Sequence, residues 1–131
     1  MKSIQEVFNT VGVHLLLAQN AKSLDEFGSC KYRFGRLRCA LGCLIPDERY
    51  VPEMEGGVVS EGYDGGSSII TRRLFVEILG FEDGEEMDDT GMTGALNWLQ
   101  KIHDRTKVEE WRGELLKFAD HYKLEIPEIL K

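Results

Sequence analysis

Between residues 3 and 19 the apolar positions Ile4, Val7, Phe8, Val11 and Leu15 recur at i, i+3, i+4 and i+7, the pattern of a helix that buries one face. Ser3 and Glu6 stand at capping-box spacing, which predicts a helix start at Ser3. The turn-rich stretch AKSLDEFGS follows, and in CKYRFGRLRC, Cys30 to Cys39, the period shortens to two. With Phe34-Gly35 at the tip of a hairpin, Arg33 faces Arg36, Tyr32 faces Leu37, Lys31 faces Arg38 and Cys30 faces Cys39. Side chains alternate faces along a strand, so Cys30, Tyr32, Leu37 and Cys39 share an inward face, and Lys31, Arg33, Arg36 and Arg38 share an outward one. Gly35 supplies the positive φ a tight tip needs, whereas Phe34 suits a primed turn poorly, so a wider loop with the same register is an equal expectation.

Beyond the hairpin, Pro46 in ALGCLIPDERY suits the first turn of a short helix. Residues 53–68, EMEGGVVSEGYDGGSS, hold five glycines and read as a mobile excursion. Ser67 or Ser68 can cap a helix with Ile70, Leu74, Phe75, Ile78 and Leu79 inward, ended by Gly80. Two more helices are predicted over Thr93 to Arg105, with Ala95, Leu96, Trp98, Leu99 and Ile102 inward, and over Val108 to Lys123, with Val108, Trp111, Leu115, Phe118 and Tyr122 inward. Thr106 and Glu109 repeat the capping-box spacing. The expected fold is a single α+β domain over residues 1–131, mainly helical with four to five helices and one small β-hairpin around residues 30–39. A hairpin is marginal alone and needs a helix to pack against.

Size and charge narrow the function classes. A chain of 131 residues with 42% hydrophobic and 30% charged positions supports one continuous core. No apolar run approaches the length of a membrane span, and MKSIQEVF lacks a secretory h-region, which leads to the expectation of a cytoplasmic protein. Three cysteines, an odd number at low density, argue for reduced thiols rather than a disulfide framework. A net charge of -7 disfavours general binding to nucleic acid or anionic membrane, so any anion site has to be local.

The cationic face of the hairpin is the sharpest local feature. Like charges across a ladder repel, and two readings account for them. In one, the face holds an anionic partner, with Lys31, Arg33, Arg36, Arg38, Tyr32, Tyr50 and Glu55 as the binding residues, because arginine forks match oxyanions. In the other, the protein's own acids neutralise it, drawn from Glu82 to Asp89, Glu53 or Glu55.

The thiols Cys30, Cys39 and Cys43 read first as core residues. A metal alternative combines them with His103, or with His14 or His121, although C-x8-C-x3-C is not a familiar zinc spacing. His103 and Asp104, adjacent on a helix, are expected to point apart, with Asp104 assisting the turn to Thr106. The glycine segment lacks phosphate-loop spacing, and EDGEEMDD lacks the alternating ligands of an EF-hand. No cofactor is expected.

Two stretches are similar to small uncharacterised open reading frame proteins of bacteriophages and prophages. The resemblance rests on Cys30, Tyr32, Arg33, Cys39-Ala40, Gly42, Leu44-Ile45-Pro46-Asp47 and Tyr50, then on Leu99-Gln100, Ile102-His103-Asp104 and Trp111. It implies a setting, the cytoplasm of an infected or lysogenic bacterium, where small non-enzymatic proteins bind and disable host or defence components. The resulting expectation is an accessory binding protein without catalysis. Its partner is a host or defence protein surface, or a phosphorylated small molecule. The alternatives are a thiol- or metal-dependent hydrolytic enzyme and a structural or virion-associated oligomer.

Overall fold

The computed structural model describes residues 3–55, 67–80 and 91–131, the side chains of 67–72 excepted. Helix α1 runs Ile4–Val13 and opens on the expected capping box: the Ser3 hydroxyl accepts the Glu6 N–H at 3.1 Å, and Glu6 Oε1 accepts the Ser3 N–H at 3.3 Å. It continues as a π turn over His14–Gln19, an element that periodicity does not distinguish from α-helix. Strands β1, Arg33–Phe34, and β2, Leu37–Arg38, form an antiparallel hairpin. Three short 3₁₀ turns follow between Gly42 and Met54, then α2 over Ser67–Leu79, α3 over Met92–Arg105 and α4 over Trp111–Tyr122.

The core lies where α1, α3 and α4 meet. Phe8 stacks on Phe118 with ring centres 5.8 Å apart, Trp98 meets Phe118 edge-on at 5.3 Å, and Trp111 is fully buried. Val7, Val11, Leu15, Leu96, Leu99, Ile102 and Leu115 fill the space between them, as the apolar stripes require. The segment after α4 returns beneath α1, where the Gln5 amide donates to the Glu125 carbonyl and accepts the Glu125 N–H, both at 2.9 Å.

The hairpin keeps its predicted alternation and changes its register, but Arg33, expected outward, is largely covered, and Leu37, expected inward, is only half-buried. Arg33 pairs with Arg38 and Phe34 with Leu37, and the Cys39 N–H donates to the Tyr32 carbonyl at 3.3 Å. The tip is therefore Gly35-Arg36, with Gly35 at φ 62° taking the first loop position, where a type II′ turn requires glycine. The slip relative to the expected register is two residues. An even slip preserves the alternation, so Tyr32 is still buried and Arg33 and Arg38 still share the opposite face. Arg36 leaves the ladder for the turn, and Cys30 and Cys39 are not a cross-strand pair: Cys30 bridges Leu24 instead.

Other expectations change locally. Thr106 does not cap a helix with Glu109; its hydroxyl donates back to the Ile102 carbonyl, and the chain enters α4 through a 3₁₀ turn, Val108–Glu110, without a side-chain cap. Pro46 precedes a single 3₁₀ turn, Asp47–Arg49, rather than entering a helix. Gly42 has a steric role, since a Cβ there would lie 2.0 Å from the Tyr32 carbonyl oxygen. The glycine stretch from Gly56 to Gly66, the acids Glu82 to Asp89 and the proposed capping at Ser67 or Ser68 lie outside the described residues.

Candidate functional site

The hairpin docks onto the 3₁₀ segment through its own charges. Arg33 has a side chain only 14% exposed, and its guanidinium donates to the Ile45 carbonyl at 2.6 Å, pairs with Asp47 at 2.9 Å and lies 5.0 Å from the centre of the Tyr50 ring. Arg38 pairs with the same Asp47 oxygen at 2.9 Å, so one carboxylate screens the two arginines that the register sets opposite each other. Lys31 stands 3.9 Å from Asp25.

Glu55 serves the backbone rather than a cation. Its carboxylate accepts the N–H groups of Tyr32 and Arg33 at 2.8 and 3.1 Å and the Tyr50 hydroxyl at 2.6 Å. Burial, together with the hydrogen bond and charge of Glu55, pushes the Tyr50 phenol upward. Among the described residues the internal-neutralisation reading thus covers Lys31, Arg33 and Arg38, with Asp25 and Asp47 as the acids rather than Glu53. Asp47 sat inside the motif PDERY, where only its acidity and its nearness in sequence to the hairpin signalled a role.

The π turn holds the other edge of the hairpin. Hydrogen bonds from i to i+5 bring residues five apart onto one side, so His14 and Gln19 face β2 together. His14 Nε2 and Gln19 Nε2 both reach the Arg38 carbonyl, at 2.9 and 2.8 Å, and Gln19 Oε1 accepts the Arg38 N–H at 2.8 Å. The edge strand's exposed pair of backbone groups is thereby covered. Burial depresses the His14 pKa, although its hydrogen bond to the Arg38 carbonyl acts in the opposite direction.

What this scaffold leaves available is the apex. Arg36 is exposed and makes no ion pair or hydrogen bond among the described residues, and beside it Phe34 is 39% exposed. The expected binding set therefore divides: Arg33, Tyr32, Tyr50 and Glu55 are engaged within the fold, Lys31 and Arg38 are half-exposed and partnered, and Arg36 has no ion-pair or hydrogen-bond partner among the described residues.

The three thiols do not form one metal-type cluster among the described residues. Cys39 is buried, its sulfur accepting the Gly42 N–H, and Cys43 donates to the Ala40 carbonyl at 3.0 Å. Among the described residues, Cys30 forms a metal-type cluster with His103 and Asp104 whose ligand-type atoms lie within 4.8 Å of one another. Contrary to the expectation from adjacency on a helix, His103 Nδ1 is 2.7 Å from Asp104 Oδ1, a contact made as α3 ends.

The hydrogen-bond polarity of this cluster decides its chemistry. The Ser23 N–H donates to His103 Nε2 at 3.0 Å, so that nitrogen is the acceptor and Nδ1 carries the proton that faces Asp104. A metal on Nδ1 needs the proton moved to Nε2, against a backbone N–H; a metal-bound histidine instead donates from its second nitrogen. Neither nitrogen is free to act as a base.

Burial, then the charge and hydrogen bond of Asp104, pushes the Cys30 thiol up to about 11, the reverse of an activated nucleophile. Burial alone also pushes Asp104 upward, but hydrogen bonds from His103, Cys30 and Gln100 outweigh it and hold the carboxyl below its ordinary value. The cluster ties the Ser23–Cys30 loop to α3, and His103 stacks on Trp111 at 5.6 Å.

Sequence reasoning also missed an open recess of about 260 Å³ between the 3₁₀ segment and α2, lined by Arg49, Val51, Arg73, Leu74 and Glu77. Its residues are ordinary surface types distributed over two distant stretches, and no spacing links them. No protein-family model, curated protein or solved structure matches the chain.

Proposed function

We propose that the protein is a non-catalytic accessory binding protein that recognises an acidic surface of a partner protein through the apex of its basic hairpin. The observation that carries this reading is the contrast within the four cations. Arg33, Arg38 and Lys31 each have a carboxylate partner, while Arg36 stands exposed at the tip without one among the described residues. The apex is held from both sides, by Asp47 and Glu55 on one and by His14 and Gln19 on the other, so presenting Phe34 and Arg36 costs little further ordering on binding. Arginine and aromatic side chains in such settings are the usual energetic centres of interfaces. A projecting turn suits a protein surface, whereas small molecules bind in concave sites.

The hydrolytic alternative has less to stand on, because Cys30 is deactivated and both nitrogens of His103 are engaged. The resemblance to phage and prophage proteins supplies the setting: a host or defence component in the bacterial cytoplasm. The test is affinity capture from infected bacteria with mass spectrometry of proteins and small molecules, using the wild-type chain and Arg36→Glu in parallel. The expected result is an acidic protein retained by the wild type and lost from the variant at unchanged melting temperature. Equal retention by both chains would overturn the assignment of the apex.

A further inference from the structure

The recess between the 3₁₀ segment and α2 brings two cations together from separate elements. Arg49 comes from the turn Asp47–Arg49, and Arg73 from α2, where Leu74 and Glu77 complete the wall. Arg73 is exposed and has no ion-pair or hydrogen-bond partner among the described residues, whereas Arg49 is paired with Glu77. Val51 and Leu74 give the recess an apolar side, and Val51 remains 39% exposed against it. Two guanidinium groups, one acid and an apolar wall form a site with net positive charge and a place for a hydrophobic group.

We propose that this recess binds a small organic phosphate monoester, with the phosphate held by Arg49 and Arg73 and the apolar part lying on Val51 and Leu74. Guanidinium forks match phosphate oxygens, and a dianion uses two of them where a carboxylate uses one. A volume of about 260 Å³ lies just below the range of drug-sized pockets and accommodates one ring-sized group with its phosphate. Glu77 occupies Arg49 as an internal oxyanion that the ligand displaces. The site shares no residue with the hairpin apex, so it stands or fails independently of the acidic-surface reading.

Glu77 makes the proposal testable by sign. The full chain is titrated with phenyl phosphate, followed by calorimetry and by the shift in melting temperature, with inorganic phosphate and benzoate as parallel probes. Phenyl phosphate is expected to bind saturably and more tightly than either. Arg73→Ala is expected to weaken it by about tenfold or more, as loss of a charge-assisted contact does. Glu77→Gln is expected to tighten it, because the competing carboxylate is gone, and Arg36→Ala is expected to leave it unchanged. Absence of saturable binding, equal binding of inorganic phosphate or benzoate, indifference to Arg73→Ala, or weaker binding in Glu77→Gln would each overturn the proposal.

Discussion

Replacing Arg33 and Arg36 one at a time separates the cation that serves the fold from the one left exposed. Arg33→Ala removes a charged hydrogen bond to the Ile45 carbonyl, a group type that contributes about 1.5–3 kcal/mol. It also removes the contact with Tyr50, about 0.5–1 kcal/mol. The pair with Asp47 adds at most about 1 kcal/mol, because Asp47 is 74% exposed and solvent screens it. Against these stands the relief of repulsion with Arg38 directly opposite, below about 1 kcal/mol.

The contributions overlap, and the expected net loss is about 2–4 kcal/mol, a fall in melting temperature of roughly 10 °C for a chain of this size. Arg36→Ala removes no hydrogen bond or ion pair among the described residues and is expected to stay within about 0.5 kcal/mol of wild type. Urea titration followed by tryptophan fluorescence reads both, since Trp111 is fully buried and reports global unfolding. Equal stabilities for Arg33→Ala and wild type, or a loss in Arg36→Ala as large as in Arg33→Ala, would refute this division of roles.

Gly42→Ala forces a methyl carbon to within 2.0 Å of the Tyr32 carbonyl oxygen, a clash with backbone that no side-chain rotation relieves, and is expected to cost more than about 4 kcal/mol or prevent folding; a circular-dichroism melt with a normal transition would contradict it. With Cys30 near pKa 11 and Cys43 near 12, only about a thousandth or less of either is thiolate at pH 8, so a chromogenic disulfide reagent should label the native protein slowly and three thiols rapidly in guanidinium; fast native labelling would show an activated thiol. Because burial lowers the His14 pKa below its ordinary 6.5, the unfolded chain takes up the proton first as pH falls. Stability is then full above about pH 6.5 and declines below it, with a further loss below 3.8 as Asp104 protonates; His14→Gln should flatten the first decline, and an unchanged profile would exclude His14 as its source. The proton on His103 Nδ1 predicts that zinc leaves the melting temperature unchanged, and a stabilisation by zinc lost in Cys30→Ala would reverse that.

The features legible in the sequence are those set within a few residues. Periodicity placed α1, α3 and α4 and their buried faces, because a helix relates positions three and four apart whatever surrounds it. The Ser3–Glu6 capping box was legible for the same reason. The alternation of the hairpin's two faces was also determined locally, since a period of two survives a slip of two residues, whereas the covering of Arg33 by Asp47, Ile45 and Tyr50 was not.

Tertiary structure decided everything that depends on which distant groups meet. The register moved because Gly35 takes the first position of the turn and because Gln19 and His14 hold Arg38 from outside the hairpin. Asp47 became the counter-charge of two arginines through the compact path of the 3₁₀ segment. His103 met Ser23 and Asp104 where α3 ends against a loop eighty residues away in sequence. Arg49 and Arg73 came to share a recess only because α2 packs on that segment. Side-chain spacing along a chain carries no record of such encounters; they are fixed by how the buried faces fit together, and the polar groups then find partners in whatever neighbourhood that packing creates.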